Sequence, residues 1–167
     1  MFSSPVSGLT VSASNDEAIV KIHKLLEEAK FKVDRATCLE ELEYLSILKN
    51  IYAISLGIVE AKYTNPNFQA VFFTRCMIEM QIISSLCTGK NVNIHLYAGI
   101  GDLLLTGLND QSRNRTLGLM MGKGFISPKE SEFSVVVEGI RAVNFIENKL
   151  PKKEIKSLLQ KYLAVVE

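Results

Sequence analysis

Between Leu39 and Val59 the chain reads LEELEYLSILKNIYAISLGIV, and this stretch decides the fold. Leu42, Leu45, Ile47, Leu48, Tyr52, Ala53, Leu56 and Val59 recur at helical spacing, where a strand would alternate in twos. The spacing predicts one long, largely buried helix. Midway along it stand Lys49 and Asn50, flanked by Ile47, Leu48 and Ile51. Burying an ammonium is costly unless it is paired or its pKa falls, and the same conditions make a lysine a general acid/base at neutral pH. A lysine snorkelling to the surface satisfies the spacing equally well.

Helical period continues toward the C-terminus. Pro66 and Asn67 predict a break and a cap, followed by a second apolar helix from about Phe68 to Cys87. Gly99, Gly101 and Gly107 punctuate a loop and a short helix around Asp102. That acid, among glycines and beside three leucines, is a candidate partner for Lys49 or a helix N-cap. Arg113 to Met121 predicts a helix stopped by Gly122-Lys123-Gly124. Val135 to Leu150 predicts another, and Pro151 suits the first turn of a last one.

Toward the N-terminus the pattern becomes β-α-β. Leu9, Val11 and Ala13 alternate with polar residues. Ser14 followed by Glu17 reads as a capping box, with Asp16 adding charge where the helix dipole favours it. Ile19, Ile22, Leu25, Leu26 and Ala29 then keep helical spacing, and Phe31 and Val33 begin a second strand. Three such elements are too few for an α/β domain and are expected to be the tail of a larger sheet. The expected fold is mainly α: a residual β-α-β piece at 1–37 and a helical domain at 38–167.

The 167 residues fit one domain, or one and a small piece, and 47% apolar with 22% charged residues excludes a disordered chain. A chain of this length buries roughly two-thirds of its unfolded surface without staples. Nineteen basic against 18 acidic residues, a net charge of +1, argues against phosphate-driven nucleic-acid binding. Cys38, Cys76 and Cys87 form no C-x-x-C, and with only His23 and His95 beside them no zinc spacing exists. They are expected to be reduced core residues of a cytoplasmic protein without a metal. The N-terminal Met-Phe-Ser-Ser-Pro lacks a basic or apolar signal region, and the apolar run Ile51–Val59 is short for a membrane span. A soluble protein is expected.

Two strings test for a nucleotide cradle. Gly99-Ile100-Gly101-Asp102-Leu103-Leu104 lacks the third glycine of a dinucleotide fingerprint. The run Gly118 to Gly124 is one residue short of a phosphate loop and lacks its Ser/Thr. Ser112-Arg113-Asn114-Arg115 is more promising: a hydroxyl, a guanidinium fork and open amides at a helix start make an anion site, or simply a solvated helix end. Glu138 is an acid on the apolar run Val135-Val136-Val137.

Taken in order, Leu48-Lys49-Asn50, Thr74-Arg75 with Glu79-Met80, Gly101-Asp102-Leu103 with Thr106, Ser112-Arg113-Asn114-Arg115, Gly122-Lys123-Gly124 and Val136-Val137-Glu138-Gly139 form a specific series. It resembles the substrate-binding half of the NAD(P)-dependent glycerol-3-phosphate dehydrogenases, the bacterial form above all, over about residues 9 to 147. The resemblance implies that an all-helical domain follows a Rossmann domain, whose last elements the β-α-β start would be. It implies that Lys49 is the proton donor and acceptor at the substrate oxygen, with Asn50 among the substrate contacts. Asp102 would orient Lys49 or bind a substrate hydroxyl, with Thr106 nearby. Ser112, Arg113 and Asn114 would hold the phosphate, Arg113 also reaching the cofactor, and Val136 and Glu138 would touch the nucleotide.

Departures from the family pattern shape the expectation. The Gly-rich cofactor half and its lysine have no counterpart in this sequence. Leu45-Ser46-Ile47 stands where the family has small residues, so Leu45 is expected to crowd the nicotinamide. Asn65-Pro66-Asn67 replaces a G-D-N loop, and the match fades after Leu150. The expected function is substrate binding for interconversion of glycerol 3-phosphate and dihydroxyacetone phosphate, inactive without a cofactor half. NAD or NADP is expected only with such a partner. The competing reading is a non-catalytic helical module for phosphate metabolites or protein association. An uncovered apolar face predicts a homo-oligomer or a separate Rossmann chain.

Overall fold

The structure, a computed structural model, describes residues 7–126, 143–146 and 148–150. Strand β1 (Gly8–Val11) leads through helix α1 (Asp16–Glu28) to strand β2 (Lys32–Arg35). The strands pair in parallel, Gly8 beside Lys32 through Val11 beside Arg35, as a helical crossover requires. Asn15, rather than Ser14, caps α1: its side chain accepts from the amides of Glu17 at 2.7 Å and Ala18 at 3.3 Å. Ser14 stands one residue too early for that bond. Lys30 turns the chain out of α1 with a left-handed φ of 67°.

From Leu39 onward every described element is helical. Helices α2 (Leu39–Lys62) and α3 (Pro66–Thr88) are followed by a single π-turn (Tyr97–Gly101), a short α4 (Asp102–Gly107) and α5 (Arg113–Gly122). Asn65 supplies the α3 cap by accepting from the Asn67 and Phe68 amides, with Pro66 in the first turn, so Asn67 is a donor to the cap. The mainly α architecture with its parallel two-stranded start follows the pattern of the sequence. A helix over Val135–Leu150 and a last one from Pro151 fall largely outside the described residues.

The core gathers Leu45, Leu48, Tyr52 and Leu56 of α2 against Phe72, Cys76, Met80 and Ile83 of α3, with Leu103, Ile146 and Leu150 closing it. Each such side chain contributes about 1.5–3 kcal/mol of burial. Leu45 is completely buried in this cluster, so its bulk fills the core instead of crowding a cofactor. Of the cysteines, only Cys76 is fully buried; Cys38 and Cys87 are half-buried. By length and composition α2 and α3 are apolar enough to cross a membrane, but they pack on each other through this core.

Buried Glu41 ties the start of α2 to the chain beyond α3. Its carboxylate accepts from the Thr37 amide and hydroxyl at 2.7 and 2.8 Å and from the Asn93 amide at 3.0 Å. Helix α5 lies closest to α2. A Cβ on Gly118 would stand 2.0 Å from the Ile54 carbonyl oxygen, and one on Gly57 2.3 Å from that of Arg115. Only glycine permits this backbone-to-backbone approach.

The sheet is bonded to the π-turn. The Tyr97 amide donates to Asp34 Oδ2 and the Ala98 amide to Thr10 Oγ1, both at 2.8 Å. Gly8 lies under the Tyr97 ring, which would be 2.4 Å from a Cβ at that position.

Candidate active site

Helix α2 carries Lys49 out of the core between Leu48 and Asn50, on a half-buried face. Its ammonium donates to Asp102 Oδ2 in a direct ion pair; 19% of the Lys49 side chain and 33% of that of Asp102 are exposed. The π-turn delivers Asp102 as the first residue of α4, so the acid is a lysine partner and not an N-cap; Gly101 holds the cap position. Thr106 is half-buried one turn further along the same helix.

One residue after Lys49, Asn50 accepts from the side-chain amide of Asn114 at 2.9 Å. That bond brings the start of α5 alongside the lysine. Ser112 caps α5 by accepting from the Arg115 amide at 3.3 Å. Its side chain is thereby engaged in holding the helix end, which leaves Arg113 and Asn114 to present the first-turn amides. Arg113 itself is exposed. The structure thus assembles Lys49, Asn50, Asp102 and Asn114 through two direct contacts, with Thr106, Ser112 and Arg113 on the same elements. Val136 and Glu138 lie outside the described residues.

The resemblance gives Arg115 no role. It is buried and gives two nitrogens to Glu60, at 2.6 and 2.9 Å, and a third to Asp110 at 2.7 Å. Glu60 is 55 residues away in the chain, so no local spacing reveals the pair. The available signal was a second arginine in a half-buried helix start, which needs a carboxylate.

Chemically, the arrangement offers a proton on an ammonium pinned by a carboxylate, beside a helix start suited to an anion. Among the described residues no group of three His, Cys, Asp or Glu side chains is placed to hold a metal ion.

The family described as NAD-dependent glycerol-3-phosphate dehydrogenase C-terminus matches residues 39–166. A glycerol-3-phosphate dehydrogenase [NAD(P)+] of Methanothermobacter thermautotrophicus is 34% identical over 161 residues, covering 96% of this chain and 49% of the relative. One from Methylococcus capsulatus is 33% identical over 152 residues, covering 89% and 45%. The crystal structure of glycerol-3-phosphate dehydrogenase from Coxiella burnetii superposes with a TM-score of 0.66 at 26% identity, over 94% of this chain and 46% of that one. The Plasmodium falciparum glycerol-3-phosphate dehydrogenase shares the fold, with a TM-score of 0.74 at 14% identity over 95% of this chain and 46% of that one. The chain spans about half the length of the curated relatives it matches.

Proposed function

The chain belongs to the NAD-dependent glycerol-3-phosphate dehydrogenase family, as its C-terminal domain, and on that premise we propose that it is the substrate-binding portion of such an enzyme. The observation that carries this is the Lys49–Asp102 pair standing next to the Asn50–Asn114 bond. Lys49 gives a proton to the carbonyl oxygen of dihydroxyacetone phosphate, or takes one from the corresponding hydroxyl of glycerol 3-phosphate. Asp102 holds the ammonium in place, with Thr106 one turn away. The phosphate sits at the start of α5, on the Arg113 fork and the Asn114 amide, with Ser112 shaping the turn and Asn50 ordering Asn114.

The family depends on NAD(P), and the described residues include no glycine-rich turn for its pyrophosphate. The β1–α1 link, Ser12 to Asn15, has no glycine; α1 is capped by Asn15, and its first turn carries Asp16 and Glu17. A pyrophosphate there would meet two carboxylates. NAD or NADP is therefore expected on a cofactor-binding half, with Arg113, Val136 and Glu138 as the contacts from this side. Exposed Val20 and Leu25 on α1, both about two-thirds accessible, support association with such a half or with a second copy. Cys38 and Cys87, both thiols outside any disulfide, support a reducing, cytoplasmic setting.

Calorimetric titration of the chain with glycerol 3-phosphate, in buffer free of phosphate and sulfate, tests this reading. Saturable binding that vanishes in Arg113→Ala is expected. No binding up to millimolar ligand in the folded chain overturns it.

A further inference from the structure

Arg115 is buried, yet the proposed proton step does not use it. Its guanidinium meets both oxygens of Glu60, a fork on a fork, which fixes direction as well as distance. Another bond across the same α2–α5 surface runs from the Asn114 side chain to Asn50. Gly57 and Gly118 bring backbone onto backbone there, and Gly122 comes close to the Ile58 backbone and the Ala61 methyl. Such a crossing permits close approach, and a glycine offers no side chain of its own to set how one helix is turned on the other.

Along α5 each residue is rotated about 100° from the one before. Holding Arg115 therefore fixes the direction of Asn114. On α2 the two acceptors, Asn50 and Glu60, lie about 15 Å apart along the axis, with the Ile54 and Gly57 crossing between them. We propose that Arg115, held by Glu60, is a positioning residue that sets the rotation of α5 on α2 and so aims Asn114 and its helix start at the Lys49 site. The functional part of this inference rests on the substrate reading above; the rotational part does not.

The test is the side-chain amide signal of Asn114 in the ¹⁵N-labelled full chain, identified by its loss in Asn114→Asp. In Glu60→Gln this signal is expected to move and to exchange faster with water, while backbone amides around Leu48 stay in place. Glycerol 3-phosphate affinity is expected to fall about tenfold, as for loss of one charge-assisted contact. Glu60→Asp, which keeps the charge, is expected to recover part of both, and it carries the comparison if Glu60→Gln does not fold. An Asn114 signal unmoved in a folded Glu60 variant overturns the proposal. If the unaltered chain binds no glycerol 3-phosphate, the substrate reading fails while the Asn114 signal still decides the rotational one.

Discussion

Lys49 on α2 and Asp102 at the start of α4 are 53 residues apart in the chain and form a direct ion pair. The pair answers the question that a lysine in an apolar helix raises. In Asp102→Asn the ammonium loses its charged partner while the site keeps its shape. Because only 19% of the Lys49 side chain is exposed, loss of its charged partner is expected to lower stability by about 1–3 kcal/mol. Glycerol 3-phosphate affinity, read by calorimetry, is expected to fall. Unaltered affinity would remove Asp102 from the site.

The α2–α5 crossing tolerates no Cβ. Gly118→Ala places one 2.0 Å from the Ile54 carbonyl oxygen, which is backbone and cannot swing away. Overpacking of this kind costs about 1–3 kcal/mol or more, expected as a lower urea midpoint. A substitution at Gly89, where nothing lies within 4 Å, meets only the strain of its positive φ and serves as the comparison.

Glu41→Gln swaps one carboxylate oxygen for an NH₂ group. Both oxygens accept from donors, Thr37 on one side and Asn93 on the other, so either orientation of the amide sets donor against donor. A loss of about 1–3 kcal/mol is expected in chemical denaturation. An unaltered midpoint would show that the amide finds a different partner.

Lys30 holds φ at 67° just past α1, a conformation that costs a side chain roughly 1–2 kcal/mol. Lys30→Gly relieves that strain and is expected to raise the melting midpoint slightly. A fall would mean that the gain in unfolded-chain freedom outweighs the relief.

Burial raises the Cys87 thiol above its ordinary value near 9, with nearby Lys149 acting in the opposite sense. The folded thiol keeps its proton to higher pH than the unfolded one. Its contribution is intact below about pH 9 and is lost as pH rises through the folded value. Alkylation of Cys87 by iodoacetamide is therefore expected to be slower than for a free thiol at pH 8, and to accelerate above pH 9. Fast labelling at pH 8 would contradict this burial.

What the sequence made legible was decided by local physics. Apolar spacing from Leu42 to Val59 identified α2, and the cost of a buried ammonium linked Lys49 to a carboxylate such as Asp102. Caps slipped by one or two residues: Asn15 and Asn65 do the work assigned to Ser14 and to Asn67, because all are good capping types and only the backbone decides between them. Leu45 looked like an intrusion into a site and is core, since spacing alone does not say which way a mostly apolar helix is turned. Arg115 with Glu60, and Gly57 with Gly118, are long-range pairs without a spacing signature. The glycines did carry a hint: inside a helix each costs about 1 kcal/mol against alanine and so calls for a packing reason.

The bonds from Asp34 to the Tyr97 amide and from Thr10 to the Ala98 amide bear on where this chain can be divided. A cut between residues 37 and 38 separates strands from helices and looks clean in the sequence. It would strip two amides of the turn before Asp102 of their acceptors, and take away Gly8, which lies under the Tyr97 ring. The acidic half of the ion pair would then hang from a loosened hinge. A protein engineer trimming the strands to obtain a tidier helical domain would be removing the mount of its aspartate.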